Sequence, residues 1–131
     1  MAERIAVAMD EHGIEWDSRP SYEDFVRTFG DILASASSSD WQGDSLYLIQ
    51  GARYGVLTFG WGSCSGCDAL EACRTQEDLN DLQDDLERGI KWFDSISDVD
   101  SYLASGQMDN LYLSADVVAK FKSAVKVAAA A

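Results

Sequence analysis

The chain has one proline, one histidine and three cysteines among its 131 residues, and only ten basic residues against 23 acidic ones. Each shortage excludes something. A single proline and no low-complexity tract argue against long disordered linkers. An odd number of cysteines with no export signal argues against a disulfide framework and for a reducing cytoplasm. The lone His12 is the only imidazole open to a Ser/His/Asp or Cys/His site, and it lies far in sequence from the cysteines. No apolar run approaches the roughly 18–20 residues that span a bilayer. The opening stretch reaches Asp10 and Glu11 after a few apolar residues and shows no cleavage pattern, so it reads as part of the fold and not as a signal peptide.

The shortage of bases is the compositional outlier, giving a formal charge of −13. Such a surface repels phosphate, which disfavours direct contact with nucleic acid or an anionic membrane. A basic groove on another protein would attract it and speed encounter. The alternative is a solubility effect of an acidic surface.

What the chain does have is enough apolar residue, 47%, to build one core in a single domain over residues 1–127, with 128–131 as a frayed tail or vector residue. Residues 2–11 predict a short helix with Ala2, Ile5, Ala6 and Met9 on one face, closed by His12-Gly13. Ile14-Glu-Trp16 alternates like a short edge strand. Ser21 and Asp24 then have the spacing of a capping box. The stripe Tyr22, Phe25, Val26, Phe29, Ile32, Leu33 predicts a helix running to residue 33, with Gly30 a mild defect within it. Residues 35–43 read as a polar loop in which Trp41 closes over the core.

Two strands follow, 44–50 and 54–61, joined by Gly51-Ala-Arg53. Alternation puts Leu57, Phe59 and Trp61 on one face and Tyr54, Val56 and Thr58 on the other. Asp68-Ala-Leu-Glu71 has the pattern of a short helix start, and Thr75-Gln-Glu-Asp78 repeats it at the head of a longer helix over 77–94. Leu79, Leu82, Leu86, Ile90 and Phe93 are the expected buried stripe of that helix. Residues 96–104 predict another helix, 111–113 a strand, and Ser114 caps a final helix with Val117, Val118, Phe121 and Val125 inward. The expected class is α+β: a small antiparallel sheet built on the hairpin at about 44–50 and 54–61, covered by about four helices.

All three cysteines lie in one turn, where Cys64, Cys67 and Cys73 form C-x2-C-x5-C. Two thiolates at that spacing can bind one tetrahedral metal with Cys73 as a third ligand, and zinc is then the expected ion. The fourth ligand would come from Asp68, Glu71, His12 or a second subunit. The same pair read as a redox dithiol would place Cys67 near a helix N-terminus, but the βαβ context of a thioredoxin site is missing. The third reading is architectural, with small thiols and glycines letting strand, turn and helix approach closely, and no cofactor. Gly60-Trp-Gly-Ser-Cys-Ser-Gly66 lacks both the dinucleotide spacing and the lysine of a phosphate loop. Cys67 and Arg74 are one residue out of register for a thiolate phosphatase loop.

Gly62-Ser-Cys-Ser-Gly-Cys-Asp68, behind an aromatic strand, resembles a stretch of small uncharacterised bacteriophage proteins, over about residues 44–95. The resemblance implies a phage or prophage accessory protein acting in the host cytoplasm, and it transfers no catalytic residue.

Glu77, Asp78, Asp81, Asp84 and Asp85 open a run of nine acids against two bases that reaches Asp100. On a helix, Asp78, Asp81 and Asp85 share one strip. Like charges so spaced repel by a few tenths of a kcal/mol per pair, so helix stability does not explain them. One reading is a row of carboxylates that imitates phosphates and binds a basic surface of a host protein, as an inhibitor of a nucleic-acid-binding or defence protein would. The other is the solvated face of an amphipathic helix. Asp98-Val-Asp100 lacks the glycine and ligands of a calcium loop. The expected function is an interaction protein rather than an enzyme, with the cysteine turn as a metal or redox module the alternative and an enzyme using the same turn as a small-anion site the third reading.

Overall fold

The architecture is that of a computed structural model, which describes residues 3–38, 43–62, 68–110 and 113–130. It is mixed α and β, with a two-stranded ribbon, a four-stranded antiparallel sheet and four α-helices. The sheet is organised on strands β4 (Gly43–Gln50) and β5 (Tyr54–Trp61), paired from Gln50–Tyr54 at the loop to Gly43–Trp61 at the open end. The Gly51 N–H donates to the Arg53 carbonyl at 2.9 Å and closes the loop between them. Strand β3 (Asp31–Ser37) adds to β4, with a bulge between Ile32 and Ala34, and β6 (Lys91–Phe93) adds to β5.

Both faces of this sheet are covered. Tyr47, Ile49, Leu57 and Phe59 face α1 (Tyr22–Arg27) and α2 (Gln76–Arg88), where Phe25, Val26, Leu79, Leu82 and Leu86 complete one core. Leu46, Leu48, Val56 and Phe93 face α3 (Ile96–Ala104) and α4 (Ala115–Ala130), where Val99, Leu103, Val117, Val118, Phe121 and Val125 complete the other. Two-sided burial explains why Leu46 to Ile49 is an unbroken apolar run, unlike the alternation of a one-sided antiparallel strand. Ala34 and Ala36 let α4 close onto β3, and helix α4 runs through to Ala130 with Ala128 packed on the second core.

Several expected elements take another form. Residues 3–8 are not helical; Ile5 and Val7 turn inward while Ala6 and Ala8 are exposed, a period of two. Side chains of α2 hold this segment extended: the Gln76 Nε2 donates to the Ile5 carbonyl, the Val7 N–H donates to Gln76 Oε1, and Gln83 Nε2 donates to the Glu3 carbonyl. The chain then forms the ribbon β1 (Met9–Asp10) and β2 (Gly13–Ile14), and Gly13, at φ +118°, turns that ribbon instead of ending a helix. Trp16 lies in a short 3-10 turn and not in a strand.

The capping box of Ser21 and Asp24 is present, but α1 ends at Arg27. The Thr28 hydroxyl donates to the Phe25 carbonyl at 2.6 Å and accepts from Gln83 Nε2, turning the chain toward the sheet. Ile32 and Leu33 therefore belong to a strand, as do Ser35 to Ser37, which were expected in a loop. Gly30 is no defect. A Cβ there would sit 2.7 Å from the Gln50 carbonyl oxygen, so glycine is what lets β3 enter beside β4.

Asp68–Cys73 is a turn and not a helix, and α2 stops at Arg88, with Gly89 as its cap. Phe93 belongs to β6 and faces the second core, not the first. The expected site of Trp41 lies outside the described residues, as do Leu111 and Tyr112 of the expected strand at 111–113; Leu113 is not in a strand and packs on the second core.

Candidate functional site: the acidic face of α2 and the turn before it

Helix α2 starts where it does because Thr75 and Asp78 cap it reciprocally. Thr75 Oγ1 accepts from the Asp78 N–H at 3.0 Å, and Asp78 Oδ2 accepts from the N–H groups of Arg74 at 2.8 Å and Thr75 at 3.2 Å. These donors, the Arg74 N–H above all, hold the Asp78 carboxyl below its ordinary value. Leu79, Leu82 and Leu86 bury one side of the helix and leave the carboxylates on the other.

The five acids do not form one continuous row. Asp84 faces the N-terminal segment, where Arg4 grips it through two hydrogen bonds of 2.8 and 3.2 Å. That contact lowers the Asp84 pKa and raises that of Arg4. Glu77 is exposed and takes no part in the groove described next. Asp78, Asp81 and Asp85 share one strip, as their spacing predicts, and line an open groove of about 260 Å³ with Ala69, Ala72, Cys73 and Leu82. Asp85 pairs with Arg88, one turn on. Asp81 makes no hydrogen bond or ion pair among the described residues. The groove thus has an apolar floor and a carboxylate rim, a shape that takes the aliphatic stem and charged head of a lysine or arginine.

The turn beneath the groove is held by a residue that the sequence put forward as a helix cap and as a fourth metal ligand. Asp68 is buried, and its carboxylate accepts from the Gly62 N–H at 2.8 Å, the Tyr22 hydroxyl at 2.7 Å, and the N–H groups of Leu70 and Glu71 at 2.9 and 3.2 Å. Burial alone would push its pKa up; the four donors outweigh it and hold the carboxyl low. Burial and the bond to Asp68 push Tyr22 the other way, well above an ordinary phenol. Arg19 fastens the same turn from the N-terminal side, donating to the carbonyls of Leu70 and Cys73 at 2.9 and 3.1 Å. The pattern that suggested a helix cap at Asp68 is real at Glu71, but the carboxylate's other partners are non-local, which no local motif reveals.

Cys64 and Cys67 lie outside the described residues. Cys73 is buried at the groove floor, its thiol donating to the Ala69 carbonyl at 3.3 Å, and burial pushes its pKa up. Of the proposed fourth ligands, Asp68 is occupied as described, Glu71 is exposed, and His12 is exposed beside Glu11. Among the described residues no three His, Cys, Asp or Glu side chains are grouped to hold a metal ion, and no helix is long and apolar enough to cross a membrane. In comparison with known proteins, no family, no curated protein and no solved structure matches the chain.

Proposed function

We propose that the protein is a small acidic interaction protein that binds a basic surface of another protein, and that the groove beside α2 makes the contact. The observation that supports this best is the convergence of Asp78, Asp81 and Asp85 on an apolar floor, with Asp81 in no hydrogen bond or ion pair among the described residues. A carboxylate kept unpaired beside two others costs helix stability and is repaid when a cation arrives. In this reading the partner is a host protein that otherwise holds nucleic acid, the chain is a phage product acting in the host cytoplasm, and the carboxylates stand where phosphates would.

Competition tests it. A short DNA duplex bound to an oligoarginine peptide should be released when the protein is added, because protein and duplex claim the same cations. A duplex that stays bound at saturating protein would contradict the proposal.

A further inference from the structure

The side chain most at odds with its surroundings is Trp16, 86% exposed on the 3-10 turn Trp16–Ser18. Indoles are usually well buried, and tryptophan is among the residues most enriched at the energetic centres of protein interfaces. The turn that displays this one is firmly tied. The Glu15 N–H donates to the Ala8 carbonyl at 2.9 Å, and Ser18 Oγ accepts from the Ala8 N–H at 2.8 Å and donates to the Ala8 carbonyl at 3.2 Å. Beyond it Pro20 is buried. An aromatic ring presented on such a turn loses little freedom when a partner covers it.

The charged residues next to it in sequence have one sign. Asp10, Glu11, Glu15 and Asp17 are all exposed, residues 9–18 contain no lysine or arginine, and Arg19 turns inward onto the carbonyls of Leu70 and Cys73. A negative field and an open π face both attract a cation, and a planar guanidinium stacks on an indole better than an ammonium does. The patch is also joined to the groove. At the turn of the ribbon, a Cβ on Gly13 would lie 3.1 Å from the Arg74 carbonyl oxygen, and the Arg74 N–H is bonded to Asp78. Ribbon and groove therefore flank the same turn.

We infer that Trp16 is the apolar anchor of the contact, stacking on an arginine of the basic partner while the acids at 10, 11, 15 and 17 hold neighbouring cations. This rests on the proposed function and names the chemistry of its partner: arginine-rich, with one guanidinium seated on the indole.

The test is titration of a fluorescent oligoarginine peptide with wild type, Trp16→Phe, Trp16→Ala and the double variant Asp81→Lys/Asp85→Lys, alongside the NMR signal of the Trp16 indole N–H. Trp16→Ala should weaken binding roughly three- to tenfold without changing its salt dependence, since no charge is lost, while Trp16→Phe keeps most of the affinity. The indole signal should shift as peptide is added. If Trp16→Ala binds like wild type, or the indole signal stays put, while the double variant is weakened, the anchor is wrong and the acidic groove stands. If Trp16→Ala is weakened and the double variant is not, the anchor stands and the groove falls. A wild type that does not bind the peptide overturns both.

Discussion

Asp68 joins the end of β5, the turn 68–73 and Tyr22 of α1 through one carboxylate. Replacing it by alanine leaves buried donors unsatisfied, and Asp68→Ala should lower unfolding stability by about 2–3 kcal/mol in denaturant titration. The pH response follows from the same bonds. A carboxyl held low in the native state adds stability that is whole above its unfolded pKa of about 4 and is lost as pH falls through the native value. Asp68, Asp78 and Asp84 all act in this sense. Tyr22, raised in the native state, adds stability that is whole below about pH 10 and is lost as pH rises through its native value. Cys73, raised by burial, acts in the same sense as Tyr22 but from about pH 8.5 upward, so the thermal midpoint should be level between about pH 5 and 8, fall in acid, and fall less steeply in acid in Asp68→Asn. Cys73 makes a separate prediction. In a variant carrying Cys64→Ser and Cys67→Ser, its buried, hydrogen-bonded thiol should resist alkylation until the protein unfolds; labelling as fast as free cysteine in the native state would contradict the burial.

At the scale of elements, what could be read in advance was what is encoded locally. The capping boxes at Ser21 and Thr75 stand at the observed starts of α1 and α2, because a box needs only residues three apart. The segments at 96–104 and after Ser114 are likewise helical, with Val117, Val118, Phe121 and Val125 buried as their spacing predicts. Failures fall where distant residues decide. Tyr22 to Leu33 has a helical stripe, yet a strand begins at Asp31 because β4 lies ready to pair with it. Lys91–Phe93 leaves the helical pattern for the free edge of β5. Residues 3–8 are drawn out by Gln76 and Gln83, more than 65 positions away. The groove strip was legible because it follows from 3.6 residues per turn, whereas the diversion of Asp84 to Arg4 and the exposure of Trp16 depend on where the N-terminal segment lies. Gly30 tests this account of the β3 entry. Gly30→Ala drives a Cβ into the Gln50 backbone and should cost about 1–3 kcal/mol, whereas Gly60→Ala, with its nearest contact at 3.6 Å, should change stability by no more than about 0.5 kcal/mol.

Over the whole molecule, a formal charge of −13 attracts any cation at long range, so a basic partner would feel every face to some extent. What separates a contact from a general field is position. A charge in the contact acts at short range, whereas one more than about 8–10 Å from the bound cation is largely screened at physiological salt. Asp78 is a poor probe of this, since it caps α2 and its replacement would disturb the helix. Asp81 and Asp85 lie in the groove, while Asp98 and Asp116 are exposed on α3 and α4, across the sheet. Converting either pair to lysine changes the net charge by the same amount. The most direct measurement is therefore the affinity of an oligoarginine peptide for Asp81→Lys/Asp85→Lys and for Asp98→Lys/Asp116→Lys, at physiological salt and with folding checked by thermal unfolding. A groove contact predicts a loss of about tenfold or more for the first pair and no more than about twofold for the second. Equal losses would show that the peptide senses only the overall charge, and would contradict the assignment of the contact to α2.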